Sequence, residues 1–218
     1  GPAAARNQGA RHATGSHLVF LDADDQIIGD ALAGFASVDA DLVAIGWRET
    51  DASGQPQADH RVPRFCDEPF HTLIGGNIAA IHSFCVDRAA FDAVGGFDET
   101  LRRQEDWDLW LRLTASGARC ASVDGPRAIY RRLPVSNSTQ LVGMLRASGA
   151  VLARAARVHP GCVVCAAGLR RARRAERRHW AGVVRRHLVA PIAGFHAGLT
   201  ALRELAGEDP LALLYLFA

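Results

Sequence analysis

Three carboxylates follow directly after a short apolar run near the start of the chain. The run His17-Leu18-Val19-Phe20-Leu21 is preceded by Gly-Ser and followed by Asp22-Ala23-Asp24-Asp25. Its unbroken apolar stretch predicts a strand buried on both faces, the kind found in the middle of a parallel sheet. Because ligands of open α/β sheets bind beyond the carboxyl ends of strands, carboxylates at this place indicate a candidate site.

Length and composition favour an ordinary globular protein. The 218 residues suit one domain with or without an appendage, and 49% hydrophobic and 22% charged residues exclude disordered, collagenous and disulfide-scaffold classes. The longest apolar stretch, 211–218, is far shorter than the roughly 20 residues that span a bilayer. No charged-then-apolar leader opens the chain, so a secreted or membrane-spanning protein is not expected unless the chain has been cut.

The five cysteines favour an intracellular protein. Their number is odd and most of them stand in apolar surroundings, which is typical of reduced, buried thiols. Cys162 and Cys165 have CxxC spacing, so a zinc or redox role is an alternative for this pair. Neither a second CxxC pair nor a nearby βαβ pattern supports that alternative.

The first part of the chain predicts alternating helices and strands, and the rest predicts helices alone. Helices are expected over 3–14 with Gly15 as C-cap, 29–37, 88–94 and 105–116, and extended segments over 41–49, 78–86, 119–123 and 127–132. From about Ser138 the pattern is helical, including a basic amphipathic helix kinked near Pro191. The predicted fold is α/β over 1–139, followed by an all-helical, Arg-rich region over 140–218.

The first acidic cluster has the chemistry of a hard-cation site. Asp22, Asp24 and Asp25 offer oxygen ligands that suit Mg²⁺ or Mn²⁺ shared with phosphate oxygens better than Zn²⁺. Two alternatives are open at this point. The acids could cap the next helix or solvate a loop, or Asp22 could be the nucleophile of a phosphatase of the haloacid dehalogenase kind.

A second acidic cluster opens the clearest helix of this half. Glu105, Asp106 and Asp108 stand in its first turn, where the helix dipole favours anionic side chains and is expected to hold Asp106 ionised. A carboxylate kept charged beside an apolar tryptophan is a candidate general base for a hydroxyl. Plain capping of the first helical turn is the alternative.

The order of the two clusters, together with the residues that flank them, resembles the sequence pattern of a known enzyme family. The stretch GPAAARNQGARHATGSHLVFLDADD resembles the central signature of family 2 glycosyltransferases, and VGGFDETLRRQEDWDLWLRLTASG resembles their Gly-Gly-Phe-Asp-Glu turn with Glu-Asp-Trp-Asp on a helix. YRRLPVSNST, at 130–139, is similar to their closing segment. The resemblance covers 1–139 and implies a GT-A fold, with a Rossmann-like sheet that carries a metal ion and a nucleotide sugar.

The resemblance also implies a role for each matched residue. Asp24 would be the main ligand of Mg²⁺ or Mn²⁺, and Asp22 would help to hold the metal and the ribose. Asp106 would deprotonate the acceptor hydroxyl during an inverting transfer, and Glu105 would touch the acceptor or orient the base. The remaining assignments are Arg6, Asn7, Arg131 and Arg132 near the diphosphate and Trp107 as a stacking surface for an acceptor sugar. Trp107 as a core residue, and Arg131 and Arg132 as solvated side chains, are the alternatives.

The chain departs from the family pattern in two places. Leu133 stands where many members have a histidine, so the metal or phosphate contact that such a histidine would make is not expected. The strands that bind the nucleotide base would precede Gly1, which predicts that about two βα units, roughly 60 to 80 residues, are missing. Such a chain would expose the edge of a central sheet, and we expect poor solubility or no activity in isolation.

The two parts of the chain carry opposite net charges, which indicates different binding partners for each part. Residues 1–140 carry 13 Arg and 19 acids, a balance of −6, whereas 141–218 carry 12 Arg and 4 acids, a balance of +8. The basic face could attract an anionic membrane or a lipid-linked acceptor at the cytoplasmic leaflet, with a solvated helix face as the alternative. Nucleic-acid binding is not expected, because aromatic residues do not alternate with the arginines.

Three classes of function are therefore open from the sequence. The first is a cytoplasmic, inverting glycosyltransferase that moves a sugar from a nucleotide-sugar donor to a saccharide or lipid-linked acceptor in cell-surface polysaccharide or glycolipid synthesis. The second is a non-catalytic remnant that acts as a scaffold. The third is a metal-dependent phosphohydrolase, which the Glu-Asp-Trp-Asp helix disfavours.

Overall fold

A computed structural model of the chain describes residues 1–63, 65–133, 141–188 and 192–216. The chain divides into two compact units, Gly1–Val135 and Ser136–Ala218. The predicted boundary at 139/140, the segment 134–139 of the closing signature and the predicted kink at Pro191 all lie outside the described residues.

The first unit is built on a six-stranded mixed sheet. Its strands are β1 His17–Val19, β2 Gln26–Ile27, β3 Leu42–Thr50, β4 Pro56–His60, β5 Phe84–Asp87 and β6 Cys120–Arg131. The order is β1-β5-β3-β6-β2, with β4 pairing a further part of β3. Only the β3–β6 pair is parallel among the pairs described. The α/β class expected from the sequence is confirmed.

Five helices accompany this sheet. They are α1 Pro2–His12, α2 Ala31–Ala36, α3 Pro69–Leu73, α4 Arg88–Ala93 and α5 Glu105–Ala115. The apolar side chains of α5 are buried. Trp110, Leu109 and Leu113 are all at 0% exposure, and the centroid of the Trp110 ring lies 4.4 Å from that of the Phe84 ring on β5. This packing fixes α5, and with it the acidic first turn, against the sheet.

The end of α1 differs from the expectation of a glycine C-cap. The helix ends at His12, and Ala13 is already extended. The terminal carbonyls are capped by Arg88, whose guanidinium donates to the carbonyl oxygens of Ala10, Ala13 and Gly15. A cationic side chain from α4 therefore satisfies the helix end that a glycine was expected to close.

The strand before the first acidic cluster also differs from the prediction. β1 pairs with β5, antiparallel, at an end of the strand order, and only Leu18 of its three residues is fully buried. The expectation of a strand buried on both faces within a parallel sheet was wrong. Phe20, which follows β1, lies in an aromatic cluster with Phe91 and Phe97 instead.

The predicted segments 119–123 and 127–132 form one continuous strand. Gly125 has φ 92°, and the register of β6 against β3 shifts beside it, so the strand continues through a bulge. Gly46 on β3 faces this bulge, where a Cβ atom would lie 2.7 Å from the His60 carbonyl oxygen and 2.9 Å from that of Gly125. Only glycine fits a backbone crossing this close.

The second unit is helical, as the sequence pattern predicted for this part. It contains α6 Leu141–Ala155, α7 Val163–Leu188, α8 Ile192–Glu208 and a 3-10 helix at Pro210–Tyr215. Its core includes Leu145 of α6, Trp180 and Val184 of α7, and Leu205 of α8. Within the described helices, none combines the length and apolar character needed to cross a membrane.

Candidate active site

One arginine connects the two acidic clusters. Arg6 on α1 donates from Nη2 to Asp22 Oδ1 at 2.6 Å and from Nη1 to Glu105 Oε1 at 2.5 Å. The guanidinium also lies over the Phe97 ring, 5.8 Å from its centroid. The structure thus brings residues 6, 22 and 105 together, although they are distant in the sequence.

The burial of this network makes it electrostatically strong. The side chain of Glu105 is 8% exposed and that of Arg6 is 15% exposed, whereas Asp22 is at 42% and reaches solvent. Burial disfavours the charge of Arg6, but the hydrogen bonds and charges of Asp22 and Glu105 outweigh it and raise the pKa of Arg6 above its usual value. Arg6 therefore stays charged and holds two carboxylates in place.

The first acidic cluster forms a turn in which some carboxylates are exposed and one is buried. The Asp25 amide donates to the Asp22 carbonyl oxygen at 3.1 Å, which closes the turn. Asp24 is exposed, whereas Asp25 is buried and accepts from the Arg131 amide at 2.8 Å. Of the three acids, Asp24 and Asp22 consequently remain accessible to a ligand, and Asp25 does not.

The accessible oxygens of this turn fit a hard divalent cation. Asp24 and the solvent-facing side of Asp22 supply carboxylate oxygens, the donors that Mg²⁺ and Mn²⁺ prefer. Arg6 occupies one oxygen of Asp22, so Asp24 is the better placed of the two as the main ligand. Water and phosphate oxygens would complete the coordination of such an ion.

Asp106 stands beside Glu105 at the start of α5. Its Oδ1 accepts from the Trp107 amide at 2.7 Å, and its Oδ2 accepts from Asn77 Nδ2 at 3.0 Å. The side chain is partly buried. Desolvation and the charge of Glu105 raise the pKa of Asp106 to about 6, against the lowering effect of the Trp107 amide, Asn77 and Arg6.

This pKa differs from what the helix start alone would produce. The helix start was expected to hold Asp106 ionised, and burial and the adjacent carboxylate outweigh the favourable amide of Trp107, so that the pKa rises. A carboxylate with a pKa of about 6 is a stronger base than an ordinary aspartate and is still mostly ionised at neutral pH. The shift therefore suits a general base.

The backbone at the start of α5 is strained. Gln104, its N-cap residue, has φ 59° and ψ 18°, the left-handed conformation, and it is the one non-glycine residue with positive φ in the described part of the chain.

Asp108, one turn further along α5, accepts a hydrogen bond from Arg112, whose guanidinium also donates to the Val94 and Gly96 carbonyl oxygens. Asp108 thus fixes α5 to the turn after α4 and is not part of the open site.

Trp107 does not provide the sugar-stacking surface that was considered. The side chain is 4% exposed, and its Nε1 donates to the Leu73 carbonyl oxygen at 2.8 Å. Both ring faces are therefore packed in the interior, as the alternative interpretation of a core tryptophan required. Its contribution to the site is to fix the first turn of α5 against α3.

Asn7 is engaged with protein backbone. Its Nδ2 donates to the Phe97 carbonyl oxygen and to Glu99, and its Oδ1 accepts from the Phe97 amide. Gly96, with φ 67°, lies so close that a Cβ atom there would be 2.8 Å from Asn7 Oδ1. Asn7 therefore joins α1 to the Gly-Gly-Phe-Asp turn, and the two matched signatures meet at this point.

The two arginines at the end of β6 have different surroundings. The Arg132 guanidinium pairs with Glu49 on β3, with Nε 2.6 Å from Oε1. The Nε of Arg131 is buried and has no hydrogen-bond partner within the described ranges. Arg131 is the better candidate of the two for an anionic ligand, because the charge of Arg132 already has a carboxylate partner.

Sequence reasoning missed Asn77 and the role of Asp25. Asn77 follows Gly75-Gly76, a pair that indicates only a turn, and its contact with Asp106 joins residues 29 positions apart. Asp25 was grouped with the metal-site acids, because spacing along the chain does not distinguish the buried member of an acidic run from the exposed ones.

The mixed sheet, the acidic turn after β1 and the acidic start of α5 are typical of the GT-A fold. Residues 1–90 match the profile of the family described as "Glycosyl transferase family 2". This match places the first 90 residues of the chain in the glycosyltransferase family. The matched part contains the acidic turn, and the Glu-Asp-Trp-Asp helix follows it.

Two known proteins resemble the chain over larger parts. The succinoglycan biosynthesis protein ExoU of Rhizobium meliloti (strain 1021) is 32% identical over 163 residues, which cover 67% of this chain and 48% of ExoU. The crystal structure of S. aureus TarS 1-349 in complex with UDP-GlcNAc superposes with a TM-score of 0.53 at 16% identity, over 99% of this chain and 64% of that one. The chain thus spans about half the length of ExoU, and its fold is similar to the part of TarS 1-349 that it covers.

Proposed function

We propose that the protein is an inverting, metal-dependent glycosyltransferase that moves a sugar from a nucleoside diphosphate to an acceptor hydroxyl in the synthesis of a cell-surface polysaccharide or glycolipid. The observation that carries this proposal is the Arg6 bridge, because it places the acidic turn and the start of α5 in one site. Family membership and the likeness to a succinoglycan biosynthesis protein support the polysaccharide context. The UDP-GlcNAc complex of TarS supports a nucleotide-sugar donor.

The acidic turn would hold the donor through a divalent cation. Asp24, with help from Asp22, would bind Mg²⁺ or Mn²⁺, which when bound neutralises charge on the diphosphate leaving group. Asp22 would also contact the ribose, and Arg131 would contact the diphosphate. Arg6 would act by holding Asp22 and Glu105 in position, since both of its terminal nitrogens are engaged with them.

Asp106 would act as the general base. Its carboxylate takes the proton of the acceptor hydroxyl while that oxygen attacks the anomeric carbon from the face opposite the nucleoside diphosphate, whose bond to the sugar breaks. One C–O bond forms as another breaks, so the configuration at the anomeric carbon inverts. Asn77 orients the carboxylate through its hydrogen bond, and the charge of Glu105 increases its basicity.

The surroundings of Asp22 disfavour the phosphohydrolase. In a metal-dependent phosphohydrolase, Asp22 would have to attack phosphorus and help to bind the metal through Oδ2 alone, because Arg6 already holds its Oδ1 at 2.6 Å. The role of Asp22 as a nucleophile would also leave the base-like environment of Asp106 without a function. The glycosyltransferase mechanism uses both clusters.

The function can be tested by measuring Mn²⁺-dependent turnover of a panel of nucleotide sugars. We expect release of a nucleoside diphosphate from one donor, loss of that release with a chelator and in Asp24→Ala, and a strong reduction in Asp106→Ala. Asp92→Asn, which changes an exposed acid on α4, is the matched control and should keep full activity. Release of inorganic phosphate would instead indicate the phosphohydrolase, and neither binding nor turnover would indicate a non-catalytic scaffold.

We also propose a peripheral position at the cytoplasmic face of a membrane, with a saccharide or lipid-linked acceptor. Arg170, Arg171, Arg173 and Arg174 are exposed in the first half of α7, whereas Cys165 and Ala172 of the same half are buried. Four adjacent cations on an exposed helix face suit the phosphates of anionic lipids or of a lipid-linked acceptor.

A further inference from the structure

A buried polar pair lies directly behind the acidic turn. His82, in the 3-10 turn Ile81–Ser83 that precedes β5, is 0% exposed, and the side chain of Asp25 is 3% exposed. His82 Nδ1 lies 3.0 Å from Asp25 Oδ2. The imidazole also stacks on Tyr130 of β6, with 6.2 Å between ring centroids and 18° between planes.

Asp25 connects three separate parts of the first unit. Its amide closes the acidic turn on the Asp22 carbonyl oxygen, its Oδ1 accepts from the Arg131 amide at the end of β6, and its Oδ2 faces His82. Asp24, the exposed acid, is its immediate neighbour in the chain. The orientation of the Asp24 backbone therefore depends on how Asp25 is anchored.

Packing alone does not account for this pair. A buried carboxylate and imidazole are costly to desolvate, and an apolar pair of similar volume is often at least as stabilising. The contact is also angled, so neither nitrogen of His82 has a well-formed hydrogen bond to any residue that the structure describes. Because the pair is costly and poorly hydrogen-bonded, its position directly behind the acidic turn points to a role in the geometry of that turn.

We propose that Asp25 and His82 are a positioning pair, which anchors the acidic turn so that Asp24 presents its carboxylate to the divalent cation. This inference rests on the proposed function. Asp25 itself is not a cation ligand, since it is buried and both of its oxygens face protein groups. The pair acts through Asp24, as residues behind a metal ligand do when they fix its orientation.

The test is Mn²⁺ binding in the presence of uridine diphosphate, followed by electron paramagnetic resonance of the free ion. We expect Asp25→Ala and His82→Phe to weaken Mn²⁺ binding by about 10- to 100-fold. Phe keeps a ring against Tyr130, so loss in this variant would report the missing nitrogen rather than lost packing. His82→Asn should retain affinity close to that of the unchanged protein, because the Asn amide keeps a polar N–H group facing Asp25.

Two further variants make the outcomes distinct. Asp87→Asn removes the negative charge of an aspartate that caps α4, away from the acidic turn, and should leave Mn²⁺ binding unchanged even if it lowers the melting temperature. Asp24→Ala should abolish binding. If Asp24→Ala abolishes binding while Asp25→Ala and His82→Phe remain folded and bind normally, the positioning pair is refuted and the proposed function stands. If Asp24→Ala binds as tightly as the unchanged protein, the proposed metal site falls, and this inference with it.

Discussion

At the residue scale, Arg6 is the residue on which the geometry of the site most depends. Its two terminal nitrogens hold one carboxylate from each acidic cluster, at 2.6 Å and 2.5 Å. A planar guanidinium suits this role because its donors diverge at fixed angles, whereas a lysine ammonium carries its charge at one point. The site therefore depends on the shape of this side chain as well as on its charge.

Replacing Arg6 is expected to lower both turnover and stability. Arg6→Ala leaves Asp22 and the buried Glu105 without their cation, which should cost roughly 3 kcal/mol of unfolding free energy. Displacement of the two clusters should lower kcat/KM for the donor by about 100-fold. Arg6→Lys should have an unfolding free energy and a kcat/KM between those of Arg6→Ala and of the unchanged protein. Urea unfolding and donor turnover measure these effects.

Arg11 provides the matched control for this prediction. It lies on the same helix and is exposed, so Arg11→Ala should change the unfolding free energy by less than about 0.5 kcal/mol and leave turnover intact. Turnover of Arg6→Ala at the rate of the unchanged protein would show that the bridge has no part in the site.

The pKa of Asp106 predicts a pH dependence. The base works when deprotonated, and its pKa is raised to about 6 by burial and by the charge of Glu105. Turnover should therefore be nearly constant above pH 7, fall to about half near pH 6 and to about a tenth near pH 5. Glu105→Gln removes the repelling charge and should shift this midpoint to lower pH. A pH–rate profile with the same midpoint in both proteins would contradict the assignment.

At the element scale, the strained start of α5 predicts how that turn tolerates substitution. Gln104 is held at φ 59°, which costs β-branched residues more than others. Gln104→Val should lower the unfolding free energy by about 1 to 2 kcal/mol, and Gln104→Gly, which adopts this conformation without strain, should not. Comparing their urea midpoints tests the conformation, and equal loss in both variants would show that the glutamine side chain matters instead.

The sequence predicted helices of the first unit better than strands. α4 and α5 carry their own signals, since Gly95 and Gly117 close them with φ 79° and 89°. The partner of β1 is β5, nearly 70 residues later, and nothing within an apolar run specifies which strand will pair with it. β4 was missed because Pro56–His60 is mostly exposed and polar, and β6 was divided because Asp124-Gly125-Pro126 is typical of a turn.

In the candidate site, too, local sequence patterns were predictable and contacts between distant residues were not. The acidic clusters were identifiable because they recur in a family pattern at the ends of regular elements. The contacts that arrange them were not: Asn77 with Asp106, and Asp25 with His82, join residues far apart in the sequence. Local pattern indicates which residues carry the chemistry, and only the tertiary fold shows which ones hold them in place.

At the scale of the whole molecule, charge is divided between the two units. The described part of α7 exposes arginines, while several acids of the helical unit are already paired, as Asp209 is with Arg177 and Glu208 with Arg146. The surplus positive charge is thus available on the helix surface. The proposed association of the helical unit with an anionic surface rests on this division of charge.

Binding to lipid vesicles tests this division. The protein should bind vesicles containing phosphatidylserine and not neutral phosphatidylcholine vesicles, and the binding should weaken with salt. Changing residues 170, 171, 173 and 174 from Arg to Gln should lower the affinity by at least about 100-fold, at roughly 1 kcal/mol for each cation. Arg203→Gln, on α8, is an exposed control of the same type. Unchanged binding in the fourfold variant would indicate a solvated helix face.

The central claim is that the acidic turn and the start of α5 form one site, in which Asp24 binds the metal ion and Asp106 is the general base. Donor turnover in Asp24→Ala and Asp106→Asn tests this claim most directly. Asp106→Asn should lower kcat by about 10² to 10⁴-fold while the donor KM changes by less than about threefold. Asp24→Ala should instead abolish Mn²⁺ binding and, with it, turnover of the donor. The account is contradicted if Asp106→Asn turns over the donor at the unchanged rate, or if both variants show the same loss of donor and metal binding.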